Sequence, residues 1–544
     1  MKNNFLLGLF LCCFFTISAQ NSTKLDRPKL VVGIVVDQMR YDYLTRFYEK
    51  YGEDGFKLLM NDGFNCENAH FNYIPTYTAV GHTSIYTGTT PNMHGIIGND
   101  WYDKIAKKSL YCVDDNNYST VGSENGGKKS PQHLLTTTIT DELRLAQNMQ
   151  GKTISISIKD RAAILPGGHT ANAAYWFEGN KEGKFISSTY YLEKLPKWVE
   201  DFNKSEIAEK YLNQKWDTYY NIKTYTESIV DDNEFERAFS GEKAPVFPHD
   251  LEKLALENGG FDILKSSPFG NSLVVDFAKE AIKSEKLGKG EFTDFLAISF
   301  SSTDYIGHQF GVDSKEVEDT YIRLDKDIAD FIDFLNNNVG IDNYTLFLTA
   351  DHAAVQVPAY LKSLKIPGTY IDNDKFKIFL KEKMTAHFKA DDLIENYSNF
   401  QFFLDRDKIK ALNLDVKEVA QILADEIVTY EGIQNTVTAQ TLQNTSFPSG
   451  ILHNLQNGYN QKMSGDILII PNPATISYSK TGSTHGSGFS YDTHVPIIFY
   501  GKGIQKGKSK DFIPIVNIAP TITNLLQVEF PNGNSGSIIK EALK

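Results

Sequence analysis

KLVVGIVVD, residues 29–37, is a near-continuous apolar run of strand length that ends in an aspartate. A run without polar alternation predicts a strand buried on both faces, as in a parallel sheet. Residues 43–60 follow with apolar side chains at helical spacing, which predicts an amphipathic helix. The stretch therefore indicates a βα unit that carries a carboxylate, Asp37, at the carboxyl end of its strand.

The same pattern recurs along the chain. Further strands are predicted at residues 152–158, 292–300, 344–348 and 495–500, and further helices at 271–285, 317–335, 417–429 and 514–526. Apolar strands that alternate with helices predict an α/β fold with a doubly wound, mostly parallel sheet flanked by helices. In such sheets, ligands bind beyond the carboxyl ends of the strands.

Two long segments interrupt this alternation. Residues 180–262 lack clean periodicity, and residues 358–475 show mixed helical patterning. We interpret both as insertions, forming a cap or surface lobe, in a single domain that spans residues 29–544 after a polar lead-in at 20–28. The 544 residues would also fit roughly three or four domain-sized units.

The first residues have the features of a secretory signal. Lys2 precedes an apolar stretch at residues 5–18, which is shorter than the roughly 20 residues that span a membrane. Cleavage is predicted near Ala19, giving a periplasmic or secreted protein with no membrane span. Cys66 and Cys112 remain in the mature chain, and an oxidising compartment permits a disulfide between them without requiring one.

The acidic net charge of the chain bears on which molecules it can bind. The formal net charge of −13 and the pI near 5.5 argue against a nucleic-acid-binding surface. They allow an anionic small-molecule substrate, because bound metal ions can reverse the local field. The sequence leaves the oligomeric state open.

Six side chains are candidates for metal ligands at the carboxyl edge of the predicted sheet. They are Asp37, Asp304, His308, Asp351, His352 and His485. Mixed imidazole and carboxylate ligands suit zinc, and a catalytic zinc commonly uses three protein ligands, so six match two ions. Taken singly, an aspartate after a strand is more often a helix cap than a ligand.

Thr78 and a pair of cations complete the set of candidates. Thr78 lies near the start of a short predicted helix, where free N–H groups favour an anion, although from this stretch alone a helix cap is the better interpretation. Lys159 and Arg161 are two residues apart, so on a strand they would point the same way, either into water or at anionic oxygens. Residues 162–168 are predicted to be turn-rich.

Several ordered motifs resemble the alkaline phosphatase superfamily, most closely its PafA-type phosphate-irrepressible enzymes. They are RPKLVVGIVVDQMRYDYL (27–44), IPTYTAVGHTSIYTG (74–88), HGIIGNDWYD (94–103), SIKDRAAILPGGH (157–169), SSTDYIGHQFG (301–311), TADHAA (349–354), STHGSGFSYDTHVPIIFYGKGI (483–504) and IAPTITNLL (518–526). One departure is Ala353-Ala354, where relatives often have glycine; we expect the loop to adjust and metal binding to persist.

The resemblance implies a role for each candidate residue. One zinc would be held by Asp304, His308 and His485, and the second by Asp37, Asp351 and His352. Thr78 would lie between the two ions and the phosphorus atom as nucleophile and metal ligand. Asn99, Lys159 and Arg161 would contact the phosphate oxygens.

These observations predict an exported phosphomonoesterase with two Zn²⁺ per chain that hydrolyses small-molecule phosphate monoesters through phospho-Thr78. A nucleotide pyrophosphatase/phosphodiesterase is the nearest alternative, and Lys159 with Arg161 favours the monoesterase because a monoester presents an extra charged oxygen. A sulfatase is disfavoured because the sequence has no Cys-x-Pro-x-Arg motif. A non-catalytic exported binding protein on the same fold is a remote alternative, since all six ligand residues are present.

Overall fold

The computed structural model describes residues 26–180 and 182–544. The predicted signal peptide, its cleavage site and most of the polar lead-in lie outside the described residues. The strands are β1 (Leu30–Val36), β2 (Phe64–His70), β3 (Asp100–Asp103), β4 (Lys108–Tyr111), β5 (Thr120–Val121), β6 (Thr153–Ser157), β7 (Ala173–Glu178), β8 (Lys184–Ser188), β9 (Lys215–Trp216), β10 (His249–Asp250), β11 (Asp294–Phe300), β12 (Tyr344–Thr349), β13 (Thr369–Tyr370), β14 (Ile394–Ser398), β15 (Gln401–Leu404), β16 (Ile433–Thr438), β17 (Ile467–Pro471), β18 (Thr475–Ile476), β19 (His494–Gly501), β20 (Gly507–Ser509) and β21 (Ile513–Pro514).

The α-helices are α1 (Tyr43–Arg46), α2 (Phe56–Asp62), α3 (Thr78–Thr87), α4 (Pro91–His94), α5 (Ile139–Ala146), α6 (Asp160–Gly167), α7 (Lys197–Lys204), α8 (Ile207–Leu212), α9 (Leu251–Leu254), α10 (Phe269–Glu285), α11 (Ser302–Phe310), α12 (Lys315–Asn338), α13 (Pro358–Ser363), α14 (Asn373–Phe388), α15 (Arg406–Ala411), α16 (Val416–Ile427), α17 (Ala439–Asn444), α18 (Gly450–Gly458), α19 (Ser490–Thr493) and α20 (Ile518–Leu526). In the described part of the chain, none of these helices combines the length and apolar character needed to cross a bilayer.

An eleven-stranded sheet organises the fold. Its strand order is β20-β2-β19-β12-β1-β11-β6-β7-β8-β5, and β21 pairs with β2 beside this path. The five central strands, from β12 to β7, are parallel, whereas β19 pairs antiparallel with both β12 and β2. The predicted α/β class with a mostly parallel sheet is therefore confirmed.

The register of the central strands aligns their carboxyl ends. Val36 of β1 lies opposite Phe300 of β11, and Val35 lies opposite Thr349 of β12. Every residue of these three strands is buried, which explains why their sequences are continuous apolar runs rather than alternating ones. The alignment brings Asp37, Asp351 and the start of α11 to one edge of the sheet.

The predicted helix over residues 43–60 is wrong, because the chain forms two short helices, α1 and α2, joined by a 3-10 turn and a loop. The Asp325 carboxylate accepts hydrogen bonds from the backbone N–H groups of Gly52, at 2.7 Å, and Phe56, at 2.8 Å. A Cβ on Gly55 would lie 2.4 Å from the Asp325 carbonyl oxygen. This contact with α12 stabilises a loop where the apolar spacing predicts a continuous helix.

The predicted turn-rich segment at 162–168 is also wrong, because most of it belongs to α6. Lys159 is the N-cap residue, and the helix continues to Gly167 with Pro166 inside it. Five consecutive residues from Ala162 to Pro166 are buried there. Burial of this short helix overrides the turn signal of the Pro-Gly-Gly sequence.

The two predicted insertions have different surroundings. In the first, β8 belongs to the main sheet and Trp216 packs in the main hydrophobic core. In the second, β14, β15, β17 and β16 form a separate four-stranded antiparallel sheet that packs with α14 and α16 around its own buried apolar cluster. The boundaries at about 180–262 and 358–475, and the division into one domain with insertions, stay a prediction.

Candidate active site

The chain folds so that Thr78 is the first residue of α3, a helix whose ten residues are all buried. Tyr77 is the N-cap, in extended conformation, and its side chain makes no capping hydrogen bond. Thr78 therefore does not occupy the cap position, which removes the simplest structural alternative for this residue. Its side chain lies at the end of the helix where free N–H groups favour an anion.

Asn99 is brought to the same helix start. Its Oδ1 accepts a hydrogen bond of 2.9 Å from the backbone N–H of Ala79. An amide oxygen used in this way orients the NH₂ group of the same side chain, which is the part of Asn99 that can donate to an anion beside Thr78.

One group of three buried side chains is Asp37, Asp351 and His352. Their ligand atoms lie within 4.8 Å of one another, and His352 Nε2 is 3.4 Å from Asp37 Oδ1. Asp37 Oδ1, Asp351 Oδ2 and His352 Nε2 are all buried without a hydrogen-bond partner among the described residues. Buried polar atoms are nearly always paired, so three orphaned atoms facing one another fit a shared cation.

A second group surrounds Asp304. Asp304, His352 and His485 offer ligand atoms within 4.8 Å of one another, and His308 Nε2 lies 3.2 Å from Asp304 Oδ1. Asp304 and His308 are four residues apart on α11, so their side chains lie on one face of that helix. The structure thus brings all six candidate ligands together, while their division between two ions stays a prediction.

The backbone sets the orientation of three of these imidazoles. The Nδ1 atoms of His308, His485 and His352 lie 2.7, 2.7 and 3.1 Å from the carbonyl oxygens of Ser483, Thr76 and Ala353. A carbonyl oxygen can only accept, so each Nδ1 carries the proton and each Nε2 keeps its lone pair for a metal.

Lys159 bridges the two groups. Its Nζ lies 2.7 Å from Asp37 Oδ2 and 2.5 Å from Asp304 Oδ2, and the residue is almost fully buried. Burial alone would lower the pKa of Lys159, but the Asp304 and Asp37 carboxylates outweigh it and raise that pKa. Burial and the nearby Asp351 raise the pKa of Asp37 well above its ordinary value. A metal cation placed among these aspartates would offset the burial and the repulsion from Asp351 that raise the pKa of Asp37.

Lys159 and Arg161 lie at the start of a helix and not on a strand, where they would have pointed the same way. Lys159 precedes α6 and Arg161 lies in its first turn, so the two side chains do not project from one face of a strand. Arg161 Nη1 donates to the Tyr111 hydroxyl oxygen at 3.0 Å, and that hydroxyl donates to Asp160 Oδ1 at 2.5 Å. Tyr111 therefore fixes the direction of the Arg161 guanidinium.

Sequence reasoning missed Gln38, which contacts two candidate ligands. Its side-chain Nε2 donates to Asp304 Oδ1 at 2.7 Å, and its backbone N–H donates to Asp351 Oδ1 at 3.1 Å. The residue has φ of 62°, a conformation unusual for glutamine, and a Cβ on Gly307 would lie 1.9 Å from its Oε1. The glycine at position 307 is the only sequence signal of this contact, and it is too common a residue to be read that way.

His82 and His94, which both follow Thr78 in the sequence, have different surroundings. His82 Nδ1 lies 2.9 Å from the Thr78 carbonyl oxygen and 3.2 Å from Asp351 Oδ2, so this ring joins α3 to a candidate ligand. His94 Nε2 contacts Ser84 Oγ at 2.9 Å and holds α4 against α3. Cys66 and Cys112 are both buried free thiols.

Comparison with known proteins gives a consistent set of matches. The family model described as type I phosphodiesterase/nucleotide pyrophosphatase matches residues 31–495. A protein of Myroides odoratus named calcium-transporting ATPase is 48% identical over 539 residues, covering 98% of each chain. Alkaline phosphatase PhoV of Synechococcus elongatus is 47% identical over 525 residues, covering 95% of this chain and 93% of PhoV.

A third relative is known by sequence and by structure. Alkaline phosphatase PafA of Elizabethkingia meningoseptica is 43% identical over 531 residues, covering 97% of this chain and 96% of PafA. A crystal structure of wild-type alkaline phosphatase PafA superposes with a TM-score of 0.92 at 43% identity, covering 95% of this chain and 99% of that chain. The similarity therefore extends over both predicted insertions as well as the central sheet.

Proposed function

This chain belongs to the type I phosphodiesterase/nucleotide pyrophosphatase family and is an alkaline phosphatase, and on that premise we propose that it is a zinc-dependent phosphomonoesterase with Thr78 as nucleophile. The observation that carries the proposal is the position of Thr78. It begins a buried helix, and the carbonyl oxygen of Thr76 just before it lies 2.7 Å from Nδ1 of His485, one of six histidine and aspartate side chains that come together.

We assign the metal ligands as the resemblance implies. Asp304, His308 and His485 would hold one zinc, and Asp37, Asp351 and His352 the other, with the Thr78 hydroxyl as a further ligand. Nitrogen and oxygen donors with unpaired Nε2 and carboxylate atoms fit zinc. Bound zinc would lower the pKa of the Thr78 hydroxyl and stabilise the charge on the oxygen that leaves.

The chain's own residues carry out the substitution at phosphorus. Thr78 Oγ loses its proton and forms a bond to phosphorus while the bond from phosphorus to the ester oxygen breaks, and the departing alcohol gains a proton. Water then attacks the phosphothreonine, which releases inorganic phosphate and restores the Thr78 hydroxyl. The stiff χ1 of threonine limits the directions available to the attacking oxygen.

Asn99, Lys159 and Arg161 would bind the non-bridging oxygens of the phosphoryl group. The Asn99 NH₂ group is oriented by the bond of its Oδ1 to Ala79 N–H, and Arg161 by its bond to Tyr111. A monoester presents three charged or partly charged oxygens to these donors, whereas a diester replaces one with an organic group. Charge-assisted donors therefore favour the monoester.

Export is part of the proposal and rests on the signal-like sequence of residues 1–19. The name of the Myroides odoratus relative, calcium-transporting ATPase, describes that protein and is not carried over to this chain. The terminal phosphoryl group of ATP has three non-bridging oxygens like a monoester, so ATP belongs among the substrates to be tested.

The test is a paired assay with an aryl phosphate and the matching diaryl phosphate. We expect kcat/KM to favour the monoester by ~100-fold or more, because each charge-assisted hydrogen bond contributes about 1.5–3 kcal/mol. Treatment with chelator should abolish both activities, and zinc should restore them, with bound zinc measured at two ions per chain. A preference for the diester would instead support the pyrophosphatase/phosphodiesterase alternative.

A further inference from the structure

A cavity of about 220 Å³ lies next to Tyr77, the residue before Thr78, between the loop that carries His485 and the sheet of the second insertion. Its walls include the side chains of Tyr77, Tyr397, Phe400 and Tyr491, together with His485. Four aromatic residues in one small cavity form a surface suited to a flat apolar group.

One end of the cavity adjoins the residues proposed to carry out catalysis. Tyr77 directly precedes Thr78 and is the N-cap of α3. Its ring lies edge-on to the ring of His485, with centroids 5.7 Å apart. His485 also lines the cavity and is one of the six candidate ligands. An ester bound with its phosphorus at Thr78 therefore has this cavity within reach of its organic group.

The opposite wall comes from a hairpin of the second insertion. Strands β14 and β15 are joined by the two residues Asn399 and Phe400, with φ of 53° and 58°. Asparagine adopts this left-handed conformation readily, whereas a bulky phenylalanine rarely does. Backbone conformations of this kind persist where the surrounding structure or a function requires them.

The turn is attached to the segment that carries Asn99. The Asn399 side-chain Nδ2 donates to the carbonyl oxygen of Asp100 at 2.5 Å. This bond holds the hairpin at a fixed distance from the phosphate-binding amide. Phe400 is therefore placed against the site by its own turn and by a contact with the residue after Asn99.

We propose that this cavity binds the organic group of the ester and that Phe400 makes the enzyme prefer aromatic over small alkyl phosphate monoesters. The inference rests on the proposed phosphomonoesterase function. An apolar cavity of about 150 Å³ is large enough for benzene, so one of 220 Å³ accepts a single or fused aromatic ring. A small alkyl group would contact few of these aromatic side chains.

The test compares phenyl phosphate with ethyl phosphate in the zinc-loaded enzyme. We expect Phe400→Gly, which also relieves the left-handed conformation, to lower the phenyl-to-ethyl ratio of kcat/KM about fivefold. The change should come mainly from a higher KM for phenyl phosphate. Tyr491→Ala should act in the same direction, and Phe292→Ala, an exposed phenylalanine outside the cavity, should leave the ratio at its wild-type value. An equal loss on both esters would overturn the inference.

A binding measurement separates this inference from the proposed function. Titration of zinc-loaded Thr78→Ala protein with phenylphosphonate and methylphosphonate should show tighter binding of the phenyl compound, and Phe400→Gly should remove the difference. This binding result, together with a zinc-loaded wild-type protein that hydrolyses no monoester, would support the cavity and contradict the phosphatase proposal. Hydrolysis of monoesters by the wild type, without a difference in phosphonate binding that depends on Phe400, would support the phosphatase proposal and contradict the role of the cavity.

Discussion

Thr78 lies one position after the N-cap, which is the position that threonine usually favours at a helix start. Threonine is a favourable N-cap, but the N-cap of α3 is Tyr77. Thr78 therefore has helical geometry, with its hydroxyl beside the first free N–H groups and its neighbour Ala79 bound to Asn99. Its position suits attack on an anionic group better than capping.

We expect Thr78→Ala to lower multiple-turnover kcat by at least about 10⁴-fold, because the variant has no oxygen to form the covalent intermediate. Zinc content should stay close to the wild-type value, since six other side chains supply the ligands. Thr78→Ser should retain more activity than Thr78→Ala because it keeps the hydroxyl. Wild-type turnover in Thr78→Ala, measured as phosphate release, would rule out this nucleophile.

Arg161 and Tyr111 give a prediction about specificity. Arg161→Ala should lower kcat/KM for the aryl phosphate roughly 10-fold or more beyond its effect on the diaryl phosphate, because the charged oxygen of the monoester loses a donor. Tyr111→Phe removes the hydroxyl that orients Arg161 and should change the ratio in the same direction by less. Tyr219→Phe, at an exposed tyrosine, serves as the control. Equal losses on both substrates would remove the basis for the monoester preference.

The sequence predicted which residues meet at the site, but not the contacts that orient them. Asp37, Asp304 and Asp351 could be identified because each comes directly after a buried strand or within the next turn. Gln38 could not, since its left-handed backbone and its bond to Asp304 depend on contacts with α11. Residue type at a strand end is local information, whereas a hydrogen bond across 266 positions is not.

At the level of elements, α3, which begins at Thr78, is held directly against a strand end. A Cβ added to Gly81 of α3 would lie 2.0 Å from the backbone oxygen of Asp351. His82, the next residue, contacts the same aspartate through its ring. The distance between Thr78 and the Asp351–His352 pair is therefore set by the contact between α3 and the end of β12.

Gly81→Ala should push α3 away from Asp351 and disturb both sides of the site. We expect a loss of stability of about 1–3 kcal/mol or more from the added methyl group, together with weaker zinc binding and lower kcat. Thermal unfolding, metal content and phosphate release measure these effects. Gly290→Ala is the matched control, because the nearest atom to its Cβ would be 3.9 Å away. Wild-type zinc affinity and kcat in Gly81→Ala would show that this contact does not set the site.

The element predictions succeeded where burial produces a simple pattern. Strands β1, β11 and β12 are apolar throughout and were predicted nearly to their ends. Strand β2, with the sequence FNCENAH, was missed because it combines buried and half-buried polar residues. The helix over 43–60 was overextended because its break depends on Asp325 of α12, nearly 270 positions away. Long-range partners of this kind leave no local pattern.

For the molecule as a whole, the sequence predicted the sheet class but not its outer part. The antiparallel strand β19 next to β12, and β2 beyond it, could not be placed, because pairing order depends on which helices cover the two faces. The separate core of β14–β17 was also not predicted beyond the presence of an insertion. The contact of its hairpin with Asp100 shows that this inserted sheet adjoins the segment that carries Asn99.

A buried cluster in the first predicted insertion adjoins the candidate metal site. His249 Nδ1 lies 2.8 Å from Glu242 Oε1, and His249 Nε2 lies 3.3 Å from Glu316 Oε1. Glu236 is buried beside Glu316, and the residues flanking Glu236 bond to the backbone on both sides of the site: Gly482 N–H donates to Phe235, and Arg237 N–H donates to Gln309. The cluster thus supports the segment next to His308 and the loop before His485.

Because this cluster holds protons in the folded state, we expect the free energy of unfolding to fall toward alkaline pH. Burial alone would lower the pKa of His249, but hydrogen bonds to Glu242 and Glu316 raise it from 6.5 to about 9. Burial and then the charge of Glu316 raise the pKa of Glu236 from 4.5 to about 10. Both groups hold protons more tightly in the folded state, so their contribution is fully present below the unfolded pKa and is lost as pH rises through the folded pKa. The stability contribution of Glu236 should therefore fall from about pH 4.5 and that of His249 from about pH 6.5, with the loss complete near pH 10.

Glu236→Gln separates this effect from other titrations. Glutamine keeps the shape of a protonated glutamate and can still contact Glu316, but it has no proton to lose. The melting temperature of the zinc-loaded variant should therefore fall less steeply from pH 7 to pH 10 than that of the wild type, and the two curves should converge at low pH. Glu257→Gln, at an exposed glutamate, should follow the wild-type curve. Parallel curves for wild type and Glu236→Gln would mean that Glu236 is already ionised at neutral pH, and the alkaline loss would then have to come from other groups.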